Sequence, residues 1–122
     1  MTTTGARYSL PLSVAVVLLA LGTALTHLYL GLQLVSFGGY GLGVLFILNF
    51  LGYVGLTALL YLPVRALEPY RGAVRYALIA FAALTIVLWI PFGTKDVLGY
   101  VNKLNELLLI AALVVEARLA RS

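Results

Sequence analysis

Apolar residues in this chain neither alternate nor keep to one face; they run on almost unbroken, with polar positions gathered into short gaps. An α-helix needs about 20 such residues to cross the roughly 30 Å hydrocarbon layer of a membrane. Four stretches meet that length, at about residues 10–35, 42–62, 73–90 and 97–115. The first opens on Ser9, a residue type suited to an N-cap, with Pro11 near the first turn. It is too long for the apolar region of a cleavable signal peptide, and no clear small-residue cleavage site follows. It is therefore read as a retained span. The glycine-rich turn Ser36-Phe37-Gly38-Gly39-Tyr40-Gly41 precedes the second span, Pro91 stops the third, and the fourth frays into Glu116-Ala117-Arg118. Connections of roughly six, ten and six residues make sequential helices antiparallel neighbours. The predicted fold is all-α: an integral membrane, up-down-up-down bundle of four transmembrane helices, with residues 1–122 as a single membrane domain.

Composition strengthens this picture. Of the 122 residues, 63% are hydrophobic and 10% charged, against roughly 25% charged in a soluble domain. The chain has no cysteine, one His and one Met, which excludes disulfides, thiolate sites and iron–sulfur clusters and leaves little for a transition metal. No second His is present for a bis-histidine haem, and no phosphate-binding glycine loop or Ser-His-Asp spacing appears. The reading is no metal, no cofactor and no enzyme.

The net charge of +4 raises nucleic acid as a partner, but the positions of the cations argue otherwise. Arg7 precedes the first span, Arg65, Arg71 and Arg75 lie between the second and third, and Arg118 and Arg121 follow the fourth. All six fall on one side of a four-span topology. Lys95 and Lys103 fall on the other, Lys95 beside Asp96. Positive residues stay cytoplasmic, so both termini and the middle connection are predicted inside, in the plasma membrane. Tyr8, Tyr61, Tyr70 and Tyr76 would lie at the inner interface, and Tyr40, Trp89, Phe92 and Tyr100 at the outer one.

Polar residues within spans carry what chemistry there is, because each is costly in hydrocarbon. At about 1.5 Å per residue, His27, Asn49, Thr85 and Glu106 all lie some 8–12 Å below the outer boundary, one on each helix. Asn102 shares a face with Glu106, and Thr23 and Gly31 with His27. Gly31 and Gly52 would let backbones approach near this level. A carboxylate at this depth either pairs with a cation or keeps its proton. His27 is the nearest partner by depth, whereas Lys103 has the length to snorkel outward. His27, Asn49, Glu106, Asn102 and Thr85 thus form the candidate ligand-binding or proton-linked cluster. The plainer alternative is interhelical hydrogen bonding, worth about 1 kcal/mol or less per bond. In that case Glu106→Gln is nearly harmless; at a proton or ligand site it abolishes function. Asn49, Tyr53, Thr57 and Tyr61 recur every four residues, as a packed seam or as a polar path away from the cluster. Glu116, near Arg118 and Arg121, reads as interfacial charge.

By size and topology the chain is similar to the small multidrug resistance transporters, but their working glutamate lies in the first span and this first span has no carboxylate. That assignment is set aside. Leu25-Thr26-His27-Leu28-Tyr29-Leu30-Gly31 together with Val87-Leu88-Trp89-Ile90-Pro91 resembles small four-helix membrane proteins of unknown function from prokaryotes. The resemblance covers the spans and implies no activity. With almost no mass outside the membrane, the favoured reading is association, as a homo-oligomer or as an accessory subunit of a membrane complex. Its partners would be membrane lipids and other membrane subunits, not nucleic acid. A small transporter or lipophilic-ligand binder using His27 and Glu106 is the alternative. Ala73, Ala77, Ala80 and Ala83 form a small-residue ridge expected to pack on a helix of this chain or of a partner.

The one-sided arginines predict that reporter fusions at the N-terminus, at Pro69 and at Ser122 all report the cytoplasm, and fusions at Gly39 or Thr94 the exterior. An exterior signal from Pro69 would remove the four-span topology.

Overall fold

The computed structural model describes residues 2–93 and 95–121, with side chains over residues 10–91, 93 and 95–120. The side chains of Arg7, Tyr8, Ser9, Phe92 and Arg121, and the positions Thr94 and Ser122, lie outside the described residues. Helices α1 (Thr2–Ser36), α2 (Tyr40–Tyr61), α3 (Arg71–Phe92) and α4 (Val97–Arg121) follow one another, with a 3₁₀ segment, Arg65–Tyr70, leading into α3. Each is long and apolar enough to cross a membrane. They pack as a closed ring in which α1 meets α2 and α4, and α3 meets α2 and α4.

The helix ends differ from expectation where a local signal had to compete with a continuing apolar run. Helix α1 starts at Thr2, so Ser9 is not its cap and Pro11 lies inside the helix. Helix α4 continues to Arg121, past the predicted fraying at 115. Helix α3 ends at Phe92, one residue beyond Pro91. Past that end, Lys95 Nζ donates to the carbonyls of Trp89, Ile90 and Gly93 at 2.8–2.9 Å, adding a cation to the end of the helix, where the Trp89 carbonyl also accepts the Gly93 N–H at 2.8 Å. Asp96 then caps α4, its Oδ1 accepting from the Gly99 N–H at 2.8 Å.

The α1–α2 turn is made by Gly38 and Gly39. Gly38 has φ +89°, a conformation that disfavours a Cβ. The Gly39 N–H reaches back to the Leu34 carbonyl at 2.7 Å and the Gly38 N–H to that of Val35 at 3.1 Å, the two bonds of a Schellman motif. Immediately below, α1 and α2 touch backbone to backbone. A Cβ on Gly43 would stand 2.7 Å from Val35 Cγ2 and 3.0 Å from the Gly31 carbonyl oxygen. Gly31 therefore behaves as expected, whereas Gly52 faces the ring of Phe81 on α3 rather than a backbone.

Small residues serve the core as well. Ala20 and Ala24 of α1, Ala82 of α3, and Leu109 and Leu113 of α4 meet with Val16, Leu60, Leu78 and Tyr53. Lipid tails are as apolar as these side chains, so close packing and polar contacts, not escape from water, hold such a bundle. The alanine ridge does not join it. Ala73, Ala77, Ala80 and Ala83 are all exposed, while Leu78 and Ala82 turn inward. The within-chain half of that expectation fails because the inward face of α3 is the one bearing Leu78, Ala82 and Thr85, and the ridge lies off it.

The close approach sets apart two glycines that are near neighbours in sequence. Gly43→Leu is expected to lower thermal stability in detergent by about 1–3 kcal/mol through overpacking. Gly41→Leu, at a site with open space around it, should change little. Equal losses would mean that the turn, not the contact, requires glycine.

Candidate functional site

Glu106 is 0% exposed and is reached from three sides. Thr23 of α1 and Tyr53 of α2 each donate a hydroxyl to its Oε2 at 2.8 Å. Lys103, one turn earlier on α4, pairs with Oε1. Both carboxylate oxygens are thus held by charge-assisted bonds, which are shorter and stronger than neutral ones. The cation was misjudged from sequence. Lys103 does not snorkel outward; it is 7% exposed, with its ammonium 5.9 Å from the centre of the Trp89 ring. A carboxylate close by in a low dielectric outweighs a distant interface.

His27 belongs to this centre without touching the carboxylate. Its Nδ1 lies 2.8 Å from the Thr23 carbonyl oxygen and 3.4 Å from Thr23 Oγ1. The short contact to a carbonyl makes Nδ1 the protonated nitrogen. Thr23 therefore stands between His27 and Glu106. The imidazole packs edge-on to Phe46 at 5.4 Å and at a tilt to Tyr53 at 6.2 Å, and Tyr53 in turn meets Phe81 edge-on at 4.9 Å. Asn49 and Thr85 pair with each other instead, Asn49 Nδ2 donating to Thr85 Oγ1 at 2.8 Å. Thr85 passes its own proton to the Phe81 carbonyl at 3.0 Å. Asn102 is buried one turn before Glu106. Four of the five candidates thus sort into two hydrogen-bonded groups, His27 with Glu106 through Thr23 and Asn49 with Thr85, while Asn102 lies a turn away from Glu106.

A second carboxylate centre was missed altogether. Glu116 is 2% exposed, enclosed by the bundle rather than facing outward, and all four helices meet at it. Ser13 of α1 donates to Oε2 at 2.9 Å, and Tyr61 of α2 lies 2.9 and 2.8 Å from the two carboxylate oxygens. Arg75 of α3 donates its Nε–H to Oε1 at 2.9 Å. Tyr61, expected as an interfacial ring, turns into the bundle to do this. The two centres repeat one scheme: an α4 glutamate, an α1 hydroxyl, an α2 tyrosine and a cation. Ser13 and Thr23 are ten residues apart, as are Glu106 and Glu116, so antiparallel α1 and α4 match at both levels. That shared spacing was the signal available in the sequence. Between the centres, the Thr57 hydroxyl is buried with no hydrogen-bond partner, and so is Asn49 Oδ1 beside the upper one. Among the described residues no group of His, Asp or Glu is arranged to hold a metal ion.

Four apolar spans closed around two buried carboxylate centres define a small multi-pass membrane protein. The chain belongs to a family of unknown function, DUF7475, whose family model matches residues 2–120. No curated protein and no solved structure matches it.

Because Lys103 is the partner, Glu106→Gln is no longer expected to be harmless: it strands a buried ammonium. Breaking such a pair costs about 3–5 kcal/mol, whereas replacing both members by apolar residues is often neutral. Unfolding of Glu106→Gln in detergent should therefore show a large loss, and Lys103→Met combined with Glu106→Met should recover most of it. Tyr61→Phe, which leaves Glu116 paired with Arg75, should lose about 1 kcal/mol or less. A double variant as unstable as Glu106→Gln would show that the ion pair is not the source of the loss.

Proposed function

We propose that this protein is a non-enzymatic membrane subunit that works by association, with copies of itself or within a larger membrane complex. In this proposal it resides in the plasma membrane, with its termini and the arginine-bearing end in the cytoplasm. The observation that carries the reading is the outward ridge Ala73, Ala77, Ala80 and Ala83 on α3. Alanines at spacings of three and four let another helix come close, which is how membrane helices associate in the absence of a hydrophobic drive. The polar groups supply the complementary argument. Glu106, Lys103, Glu116 and Arg75 are engaged with one another inside the bundle, which favours a structural role for His27 and Glu106 over a ligand or proton site. Too few reactive groups converge for an enzyme, and the connections between helices carry no soluble domain.

Ala80→Leu should reduce the mass of the complex recovered in mild detergent to that of a single chain, as read by light scattering and native mass spectrometry. Ala111→Leu, at an outward alanine of α4, serves as the control and should leave it unchanged. An unaltered complex with Ala80→Leu would mean that the ridge faces lipid.

A further inference from the structure

Helices α1 and α2 are in backbone contact at Gly31 and Gly43 but part toward the arginine-bearing end. There they leave a cleft of about 290 Å³, lined by Val17, Ala20 and Leu21 of α1 and by Val54, Ala58 and Leu62 of α2. Leu21, Val54 and Leu62 are exposed, so the cleft opens sideways, where lipid chains lie. From Val54 to Leu62 it runs about 12 Å along α2, most of the roughly 15 Å depth of one leaflet. An apolar gap beside lipid forfeits its contacts unless a chain enters it.

What enters is indicated by the cation at its mouth. The Arg71 guanidinium donates from Nη2 to the carbonyl of Leu62, the last residue of the cleft, at 2.8 Å. Its Nε is buried and has no hydrogen-bond partner. Among the described residues no carboxylate, the exposed Glu68 included, lies within ion-pair distance of it. Arg65 is exposed three residues beyond Leu62. A hydrocarbon slot ending at Arg71, with the exposed Arg65 three residues along the chain from Leu62, is complementary to a molecule with an acyl chain and a phosphate, because basic pockets beside membrane helices select anionic head groups.

We infer that the α1–α2 cleft holds one acyl chain of an anionic phospholipid, with its phosphate on Arg71 and Arg65. This site shares no residue with the α3 ridge, so it stands or falls apart from the proposed association.

The test is native mass spectrometry of delipidated protein given equal amounts of dioleoyl-phosphatidylglycerol and dioleoyl-phosphatidylcholine. The unaltered chain should retain one phosphatidylglycerol, preferred by about tenfold or more. Combined Arg65→Gln and Arg71→Gln should bring that preference to about one, with a lipid still bound through its chain. Ala58→Phe should fill the slot and remove the bound lipid of both kinds, while circular dichroism shows the helices intact. Equal retention of both lipids by the unaltered chain, or retention undiminished in Ala58→Phe, would identify ordinary surrounding lipid and overturn the inference. So would disulfide cross-linking between two Val54→Cys chains with no lipid retained, because a second copy would then cover the cleft.

Discussion

A carboxylate inside a hydrocarbon layer must find a cation and donors for its remaining lone pairs, and α4 carries two of them. That requirement organises the bundle. Adjacent helices meet through small and apolar residues, but α2 and α4 lie across the ring from one another. They are joined by the long side chains Tyr53 and Tyr61, which reach over to Glu106 and Glu116. Helix α1 adds Thr23 and Ser13 at the same two levels, and Asn105 of α4 returns a bond to the Leu19 carbonyl at 2.7 Å. Arg75 brings in α3 at the lower level.

These contacts decide register more than they decide net stability. Away from the close approach at Gly31 and Gly43, apolar helix surfaces in lipid have little to fix their register, so the contacts of defined position are what resist sliding by a turn. Here it would separate Glu116 from Ser13 and Tyr61 together, leaving a buried charge short of donors. Removing one partner of a buried pair is far more costly than never having the pair. Two levels about 15 Å apart along α4 also fix the rotation of each helix, because a rotation that served one level would spoil the other.

Much of this was legible in the chain. The spans could be read from their length, the turn from Gly38 and Gly39, and the common level of His27, Asn49, Thr85 and Glu106 from counting residues along each helix. Counting depth could not show which way each residue faces, so it missed the division into two groups. Lys103 and Glu116 were misjudged for a related reason. Each was assigned to the nearest membrane surface, whereas its true alternative was a partner one turn away or across the ring. The outward alanines show the opposite limit. Small size alone did not place them: the inward face of α3 is marked instead by Arg75, Leu78, Ala82 and Thr85, at spacings of three and four.

The same polar contacts account for the uneven packing of α1 on α2. At the Gly38 end nothing but hydrogen separates the two helices at Gly31 and Gly43. At the other end α1 is drawn to α4, through Ser13 on Glu116 and through Asn105 on the Leu19 carbonyl. Helix α2 attends the same glutamate, but with a tyrosine where α1 uses a serine. A longer side chain to a common acceptor holds its backbone further out. The two helices must then diverge below Gly31, and the space between Ala20 and Ala58 is the geometric residue of giving one buried carboxylate both a short donor and a long one.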